Sequence, residues 1–418
     1  MRITDLSQLR NILNKEISEI KVTDIHTHIY SADFKGLFLW GIDELLTYHY
    51  VLAEYFRVSD MDYGRFFKLS KEEQANLIWQ ELFVNRSPIS EAQRGVITVL
   101  DKLGLDVSSK DIDYLRAYFK SMNINEYLTR VFDLAGVRCV VMTNDPFDKE
   151  EASIWNKTGN SDSRFKAALR IDPLLNNYQE TYKDLKGMGY NVELDLSTES
   201  LEEIKRFLFE WATKIQALYM AVSLPPDFIM EDKSTRTHII KKCVLPVCAE
   251  LNIPMALMIG VKRGVNSKLE LAADSLGKAS INPVEYLCKN YPKNKFMITM
   301  LSRENQHELA VTARKFRNLM VFGCWWFTNI PSIIEEITKM RIELLGASFI
   351  PQHSDVRVLE QLIYKWEHSR QIIANVLLEK YSYLVKSNWE VTEEDIKRDI
   401  DALFNKNFWD FIDAKFTA

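Results

Sequence analysis

Eight short apolar segments recur along this 418-residue chain, and stretches with helical periodicity separate them. The segments are Val22–Ile25, Arg138–Thr143, Ala167–Ile171, Leu218–Leu224, Pro254–Ile259, Phe296–Leu301, Leu319–Phe322 and Phe349–Pro351. Each is mostly hydrophobic and bounded by polar residues, as buried parallel strands are. Between them, Leu201–Thr213 and Leu309–Phe316 carry apolar residues at helical spacing. Strands that alternate with helices predict an α/β fold, a (β/α)8 barrel of TIM type in which residues 1–418 form one domain.

An open, doubly wound parallel sheet is the alternative arrangement of the same elements. It is disfavoured because no glycine-rich phosphate loop follows the first strand. Residues 30–136, between the first two strands, predict a helical insertion in which Ser70 and Glu73 form a capping box. In a barrel this insertion lies over the carboxyl ends of the strands, as a lid or pocket wall. Residues 385–418 predict a helical extension, with a helix over Thr392–Phe411 that packs outside the barrel.

Composition argues against several classes of partner. The formal net charge of -5 disfavours nucleic acid or an anionic membrane surface. The polar N-terminus lacks the apolar core of a signal peptide, and no uncharged apolar run approaches the roughly 20 residues that span a bilayer. The five scattered cysteines are typical of reduced, buried thiols. We therefore expect a cytoplasmic protein that binds neither nucleic acid nor membrane.

Two histidines stand at the end of the first predicted strand. His26 and His28 are two residues apart, so their imidazoles point to the same face of the strand. A lone His-x-His more often marks two surface or core histidines. Here Asp355 follows the eighth predicted strand, and the carboxyl ends of barrel strands meet on one face. Two imidazoles and a carboxylate are typical ligands of a divalent ion such as zinc, so these three residues predict a metal site.

Further polar and aromatic side chains follow the other predicted strands. They are Asn144, Asp145, Arg170, Asp172, Ser223, Met258, Lys262, Arg263, Arg303, Glu304, Asn305, Trp325, Trp326 and Arg357. Single members of this set can be structural: Arg170 can simply pair with Asp172, and either tryptophan can belong to the core. Together they predict a polar pocket that has cations for an anionic substrate and aromatic faces for a sugar.

The His-x-His pair and the late aspartate resemble the signature of the amidohydrolase superfamily. Its binuclear members carry a bridging lysine near the fourth strand and histidines after the fifth and sixth. This chain has Ser223-Leu224-Pro225-Pro226, Met258 and Arg303 at those places, although His307 lies several residues beyond the sixth strand. We therefore expect one divalent ion, with zinc as the metal that suits this ligand set.

Three further segments resemble the uronate isomerase family, in its shorter, divergent bacterial branch. They are Leu39–Tyr50, Phe322–Phe327 and Ser354–Arg357, and the similarity runs through essentially the whole chain. The resemblance implies interconversion of D-glucuronate with D-fructuronate and of D-galacturonate with D-tagaturonate. It implies a small-molecule uronate as the partner and allows a homo-oligomer, since family members often assemble.

The resemblance also implies roles for individual residues. These are metal ligation by His26, His28 and Asp355, catalytic or substrate-binding roles for His49, Tyr50, Arg170 and Arg357, and sugar contact by Trp325 or Trp326. Arg263 matches the family's arginine after the fifth strand and is expected to bind substrate. Longer family members have a histidine where this chain has Met258, and an Asp-His pair where it has Pro225-Pro226. Those roles are vacant here or pass to other groups.

Aldose–ketose isomerisation moves a proton between C2 and C1 through an enediol. Arg357 or Arg170 can clamp the remote carboxylate, and Tyr50 or His49 can relay protons, with Tyr50 nearer the transferred proton. Asp355 can also take a hydroxyl proton as the sugar ring opens. Two other functions stay open: a mononuclear metal-dependent hydrolase of a lactone or amide, and a catalytically silent sugar-acid binder. The His-Tyr pair and the arginines favour the isomerase.

Overall fold

The protein is described here by a computed structural model over residues 2–416; Met1, Thr417 and Ala418, which belong to the predicted domain, lie outside the described residues. The strands of the main sheet are β1 (Val22–Thr27), β2 (Val137–Asn144), β3 (Phe165–Arg170), β4 (Met220–Leu224), β5 (Met255–Ile259), β8 (Phe296–Met300) and β9 (Leu319–Val321). Within the described residues these seven strands are parallel and lie in the order β1-β2-β3-β4-β5-β8-β9. A short antiparallel ribbon, β6 (Val261–Lys262) and β7 (Ser275–Leu276), follows β5.

The segment predicted as the eighth strand, Phe349–Pro351, does not form a regular strand, yet it closes the barrel. Ile350 makes one isolated parallel bridge beside β9. Further along, the backbone N–H of Asp355 donates to the carbonyl of His26 in β1 over 3.2 Å. The proline cannot donate a ladder hydrogen bond, and side chains bind much of the backbone that follows it. The predicted barrel class is confirmed, with an irregular eighth position.

Helices fill the connections between the strands. Those before β3 are α1 (Leu6–Glu19), α2 (Ile42–Thr47), α3 (His49–Val58), α4 (Tyr63–Phe66), α5 (Lys71–Trp79), α6 (Glu91–Lys102), α7 (Ile112–Lys120), α8 (Ile124–Ala135) and α9 (Lys149–Lys157). Those between β3 and β8 are α10 (Asp172–Asn176), α11 (Tyr178–Gly187), α12 (Thr198–Lys214), α13 (Thr235–Ile239), α14 (Leu245–Glu250) and α15 (Asn282–Asn290). Those after β8 are α16 (Gln306–Ala313), α17 (Pro331–Leu345), α18 (Gln361–Lys386), α19 (Glu393–Asp401) and α20 (Asn407–Asp413).

Tighter and wider helical turns join several of these elements. The 3-10 turns are Ala32–Leu37, Ser267–Ala272, Arg303–Asn305 and Trp326–Thr328, and the π-helical turns are Gln80–Val84, Ile240–Val244 and Ala402–Lys406. Across residues 2–416, none of the helices combines the length and the apolar character needed to cross a membrane.

The long connection between β1 and β2 holds α2 to α8. Its predicted capping box is confirmed: the Ser70 hydroxyl accepts from the N–H of Glu73, whose carboxylate accepts from the N–H of Ser70. Helix α3 begins at His49, so this connection carries two of the predicted site residues. That it acts as a lid stays a prediction.

The predicted helix over Thr392–Phe411 is interrupted into α19, a π-helical turn and α20. Phe408 of α20 belongs to the same buried cluster as Ile25 and Tyr219 from the interior of the barrel. Lys295, just before β8, donates to backbone carbonyls at the end of α20. The α20 part of the extension therefore covers the amino-terminal end of the barrel, and there the expectation of packing on the outside is wrong. The α19 part does pack outside the barrel, against α1.

Candidate metal centre and active site

The three predicted metal ligands lie together where β1 ends. The Nε2 atoms of His26 and His28 are 3.8 and 3.4 Å from the same oxygen, Oδ1 of Asp355. Ligands about 2.1 Å from a tetrahedral zinc ion are about 3.4 Å apart, so this spacing suits one ion. Among the described residues, no other group of three His, Cys, Asp or Glu side chains is arranged to hold an ion.

A tyrosine hydroxyl fixes the tautomer of His26. The Tyr219 hydroxyl lies 2.6 Å from the carbonyl oxygen of Ile25 and 3.0 Å from His26 Nδ1. A carbonyl can only accept, so the hydroxyl donates its proton there and accepts from Nδ1. The lone pair of His26 is thereby placed on Nε2, the atom nearer Asp355.

A threonine hydroxyl does the same for His28. Thr143 Oγ1 lies 3.1 Å from the carbonyl oxygen of Thr27 and 2.7 Å from His28 Nδ1. By the same reasoning Nδ1 carries the proton and Nε2 carries the lone pair. Both imidazoles therefore present the unprotonated nitrogen that a metal ion requires.

The charge states of the cluster also suit a cation. Desolvation lowers the pKa of His26 and His28 to about 3, so both imidazoles are neutral at neutral pH. Desolvation raises the pKa of Asp355 to about 6. Asp355 Oδ1 is buried without a hydrogen-bond partner among the described residues, which is costly for a carboxylate. Two neutral imidazoles and an unpartnered carboxylate oxygen form a donor set that fits a divalent ion.

Side chains hold the segment that presents Asp355. The backbone of Asp355 is left-handed, with φ of 57°, a conformation that is uncommon outside glycine. At Ser354, the N–H donates to Asp24 over 3.0 Å, and the carbonyl accepts from Asn329 over 3.3 Å. Asp24 also accepts from the Trp366 indole over 2.8 Å. The carboxylate is therefore placed by a buried hydrogen-bond network in place of a regular strand.

The two arginines proposed for the substrate carboxylate differ in their partners. Arg170 donates twice to Asp172, over 3.1 and 3.4 Å, and this ion pair raises the pKa of Arg170. Arg357 donates to the carbonyl of Leu37 over 2.7 Å, and its guanidinium lies 5.2 Å from the centre of the Tyr30 ring. Within residues 2–416 no carboxylate forms an ion pair with Arg357, and burial lowers its pKa. Arg357 is thus the guanidinium more available to bind a substrate carboxylate.

The third predicted arginine is at the edge of the site. Arg263 has a side chain 57% exposed and pairs with Asp274 beside β7. Its other nitrogen lies 3.9 Å from Asp172, the carboxylate that also binds Arg170. Asp172 therefore lies close to both Arg170 and Arg263.

The aromatic residues form a second group beside the cluster. The rings of His49 and Tyr50 are 4.2 Å apart between centroids, and the His49 ring is 5.7 Å from that of Trp326. Trp325 is instead part of the buried interior of the barrel, so Trp326 is the tryptophan beside the predicted catalytic pair. A cavity of about 810 Å³ has His49, Tyr50 and Trp326 in its wall.

Desolvation sets the protonation of this pair. It lowers the pKa of His49 to about 3, and the nearby His28 adds to the effect. It raises the pKa of Tyr50 well above 10, with a further contribution from the charge of Asp355. At neutral pH the site therefore has a neutral imidazole, which can accept a proton, and a protonated phenol, which can donate one.

Comparison with known proteins identifies the family. The sequence matches no protein-family model and no curated protein. Its structure superposes on the crystal structure of a uronate isomerase from Bacillus halodurans C-125 with a TM-score of 0.97 and 53% sequence identity, over 99% of this chain and 98% of that one. This chain belongs to the uronate isomerase family. The family prediction is confirmed.

Two more distant members of the uronate isomerase family share the fold. One is the uronate isomerase of Thermotoga maritima, at a TM-score of 0.77 and 15% identity over 98% of this chain and 99% of that one. The other is the glucuronate isomerase of Caulobacter crescentus, at 0.77 and 13% over 98% and 95%. At these identities the likeness extends to the fold alone.

Sequence reasoning identified the uronate isomerase family but missed several residues that support its site here. They are Asp24, Tyr30, Tyr48, Thr143, Tyr219, Asn329, Lys365 and Trp366. One signal was available: Tyr219 and Thr143 are polar side chains inside continuous apolar runs. Their partners depend on how the strands pair, which periodicity alone does not give.

Proposed function

We propose that this protein catalyses uronate isomerisation, converting D-glucuronate to D-fructuronate and D-galacturonate to D-tagaturonate. Membership of the family supports the proposal. The observation that carries it is the proximity of the ligand cluster (His26, His28 and Asp355) to two guanidinium groups. Arg170 and Arg357 both lie close enough to His28 to lower its pKa. The site thus combines metal ligands with cations for the carboxylate of a sugar acid.

Binding of the substrate carboxylate is assigned to Arg357. Its planar fork can make two parallel hydrogen bonds to a carboxylate, and it has no acidic partner within the described residues. Arg170, already bound to Asp172, supplies a second positive charge at the site. The energy of this remote contact orients the reacting carbons.

Nε2 of His26, Nε2 of His28 and the Asp355 carboxylate would hold one divalent ion, which we propose to be zinc. Such an ion, when bound, supplies a Lewis acid that polarises the substrate oxygens. The hydroxyls of Tyr219 and Thr143 orient the two imidazoles toward it.

Proton movement is assigned to the residues beside the cluster. The neutral imidazole of His49 can accept a proton, and the protonated phenol of Tyr50 can donate one near C1 or C2. We therefore assign Tyr50 the role of the acid and His49 that of the base. Asp355 has the second proposed role of taking a hydroxyl proton as the ring opens. Trp326 offers an aromatic face to the sugar.

A direct assay tests the proposal. The purified, zinc-supplied protein is incubated separately with D-glucuronate and D-galacturonate, and the ketose is measured through a coupled NADH-dependent reductase. A uronolactone serves as the substrate for the alternative, a metal-dependent hydrolase, which the similarity to isomerases does not favour. We expect ketose formation, lost in His26→Ala and retained in His307→Ala, whose histidine is exposed. Lactone hydrolysis without ketose from either uronate would contradict the proposal.

A further inference from the structure

Lys365 is a buried cation that the roles assigned above leave unused. It lies on α18, is 5% exposed, and donates to the backbone carbonyl of Asn329 over 3.3 Å. Within the described part of the chain no carboxylate comes within 4 Å of its ammonium group, and burial lowers its pKa to about 8. A buried charge with one neutral hydrogen-bond partner is unfavourable for folding unless other nearby groups stabilise it.

The ammonium group faces a predicted catalytic ring. Lys365 Nζ lies 5.4 Å from the centroid of the Tyr50 ring, within the range of a cation–π contact. It also lies 5.1 Å from the ring of Tyr364, its neighbour in sequence. Such contacts are strongest when the cation is desolvated, as it is here. The contact therefore restricts where the Tyr50 ring can lie.

The same lysine is connected to the segment that presents Asp355. The carbonyl that accepts from Lys365 belongs to Asn329, and the side-chain amide of Asn329 donates to the carbonyl of Ser354 over 3.3 Å. A single ammonium group thus contacts the Tyr50 ring on one side and, through Asn329, the residue before Asp355 on the other.

We propose that Lys365 is a positioning residue, whose ammonium group holds the Tyr50 ring at a fixed place relative to Asp355. The inference rests on the proposed function, since it concerns the proton transfer assigned to Tyr50. In this role Lys365 acts through the Tyr50 ring that it contacts.

Three variants test this role. Lys365→Met removes the charge but keeps an unbranched side chain, and Lys365→Arg keeps the charge. The control is Lys380→Met, because Lys380 is on the same helix and lies 5.8 Å from the ring of Tyr383, away from the cluster. From the strength of a desolvated cation–π contact, we expect Lys365→Met to lower kcat by about 10- to 30-fold with little change in KM. Lys365→Arg should recover most of the loss, and the control should match the unmodified protein.

A double-mutant cycle separates positioning from a general structural role. If Lys365 acts through the Tyr50 hydroxyl, Lys365→Met should change kcat by less than about twofold in a Tyr50→Phe background. An equal loss in both backgrounds, or no loss in either, overturns the inference, as does a Tyr50→Phe variant with unchanged kcat. Thermal unfolding of each variant identifies losses that come from misfolding. If the unmodified protein makes no ketose, the proposed function fails; if it does and Lys365→Met equals it, the positioning role alone fails.

Discussion

Replacing Thr143 with valine tests how the site prepares His28 for a metal ion. The change removes the hydroxyl that accepts from His28 Nδ1 over 2.7 Å and leaves the shape of the side chain almost unchanged. Loss of such a partner typically lowers metal affinity by about 10- to 100-fold, or roughly 1.4 to 2.7 kcal/mol. The His28 side chain is 32% exposed, so water can replace part of the lost contact. We therefore expect a loss near the lower end, about tenfold.

The fully enclosed histidine should be more sensitive. The side chain of His26 is only 3% exposed, and its Nδ1 partner is the buried Tyr219 hydroxyl. Because water cannot readily take that place, Tyr219→Phe should lower zinc affinity by more than Thr143→Val does, toward about 100-fold. The order of the two losses follows from exposure alone.

Thr27→Val is the matched control for Thr143→Val. Thr27 is a buried threonine on the neighbouring strand, and its hydroxyl donates to the carbonyl of Val141 over 3.1 Å. Both variants lose one hydroxyl–carbonyl hydrogen bond, at a cost of about 1 kcal/mol in the free energy of unfolding. Zinc affinity is measured by competition with a chromogenic chelator, and stability by denaturant unfolding of the metal-free protein. Equal zinc affinities of Thr143→Val, Thr27→Val and the unmodified protein would refute the reasoning.

Three further predictions concern charge and proton transfer. Burial raises the pKa of Glu360 to about 7. The stabilisation of the fold by protonated Glu360 is therefore complete below the ordinary carboxyl pKa and is lost as the pH rises through about 7. Glu360→Gln should remove this decrease of roughly 3 kcal/mol in the free energy of unfolding, measured by denaturant unfolding at about pH 4 and pH 9. Arg357→Lys keeps the charge but not the planar fork, and kcat/KM for uronates should fall at least about tenfold with the fold intact; unchanged activity would favour Arg170 as the carboxylate-binding residue. Tyr50→Phe should lower kcat by roughly 100-fold and slow solvent hydrogen exchange into product in parallel, whereas unaltered rates would make Tyr50 a packing residue.

The parts of the site that the sequence predicted depend on local periodicity. The two-residue spacing of His26 and His28 places both imidazoles on one face wherever the strand lies. Because strand ends of a barrel share one face, Asp355 could be assigned to the same place without knowing its neighbours. The family resemblance then added the arginines and the His-Tyr pair, whose positions no periodicity specifies.

The parts that were missed depend on contacts between distant segments. Thr143 reaches His28 only because β2 pairs with β1 in the register that aligns Met142 with Thr27. A shift of one residue would turn the hydroxyl to the other face. The packing of Phe408 inside the barrel likewise depends on contacts between α20 and strands that are distant from it in sequence.

The segment before Asp355 was predicted as the eighth strand but is irregular in the structure, and it still builds the site. Two neighbouring residues of α18, Lys365 and Trp366, are connected to the carbonyl and the N–H of Ser354 through the side chains of Asn329 and Asp24. Trp366 donates to Asp24, which accepts from the Ser354 N–H, while Lys365 donates to Asn329, whose amide binds the Ser354 carbonyl. In a regular strand, these backbone groups would form ladder hydrogen bonds to neighbouring strands, and the sheet would set the position of the carboxylate. Here the packing of one long helix sets the position of Asp355, so substitutions on the buried face of α18 should affect metal binding without touching a ligand.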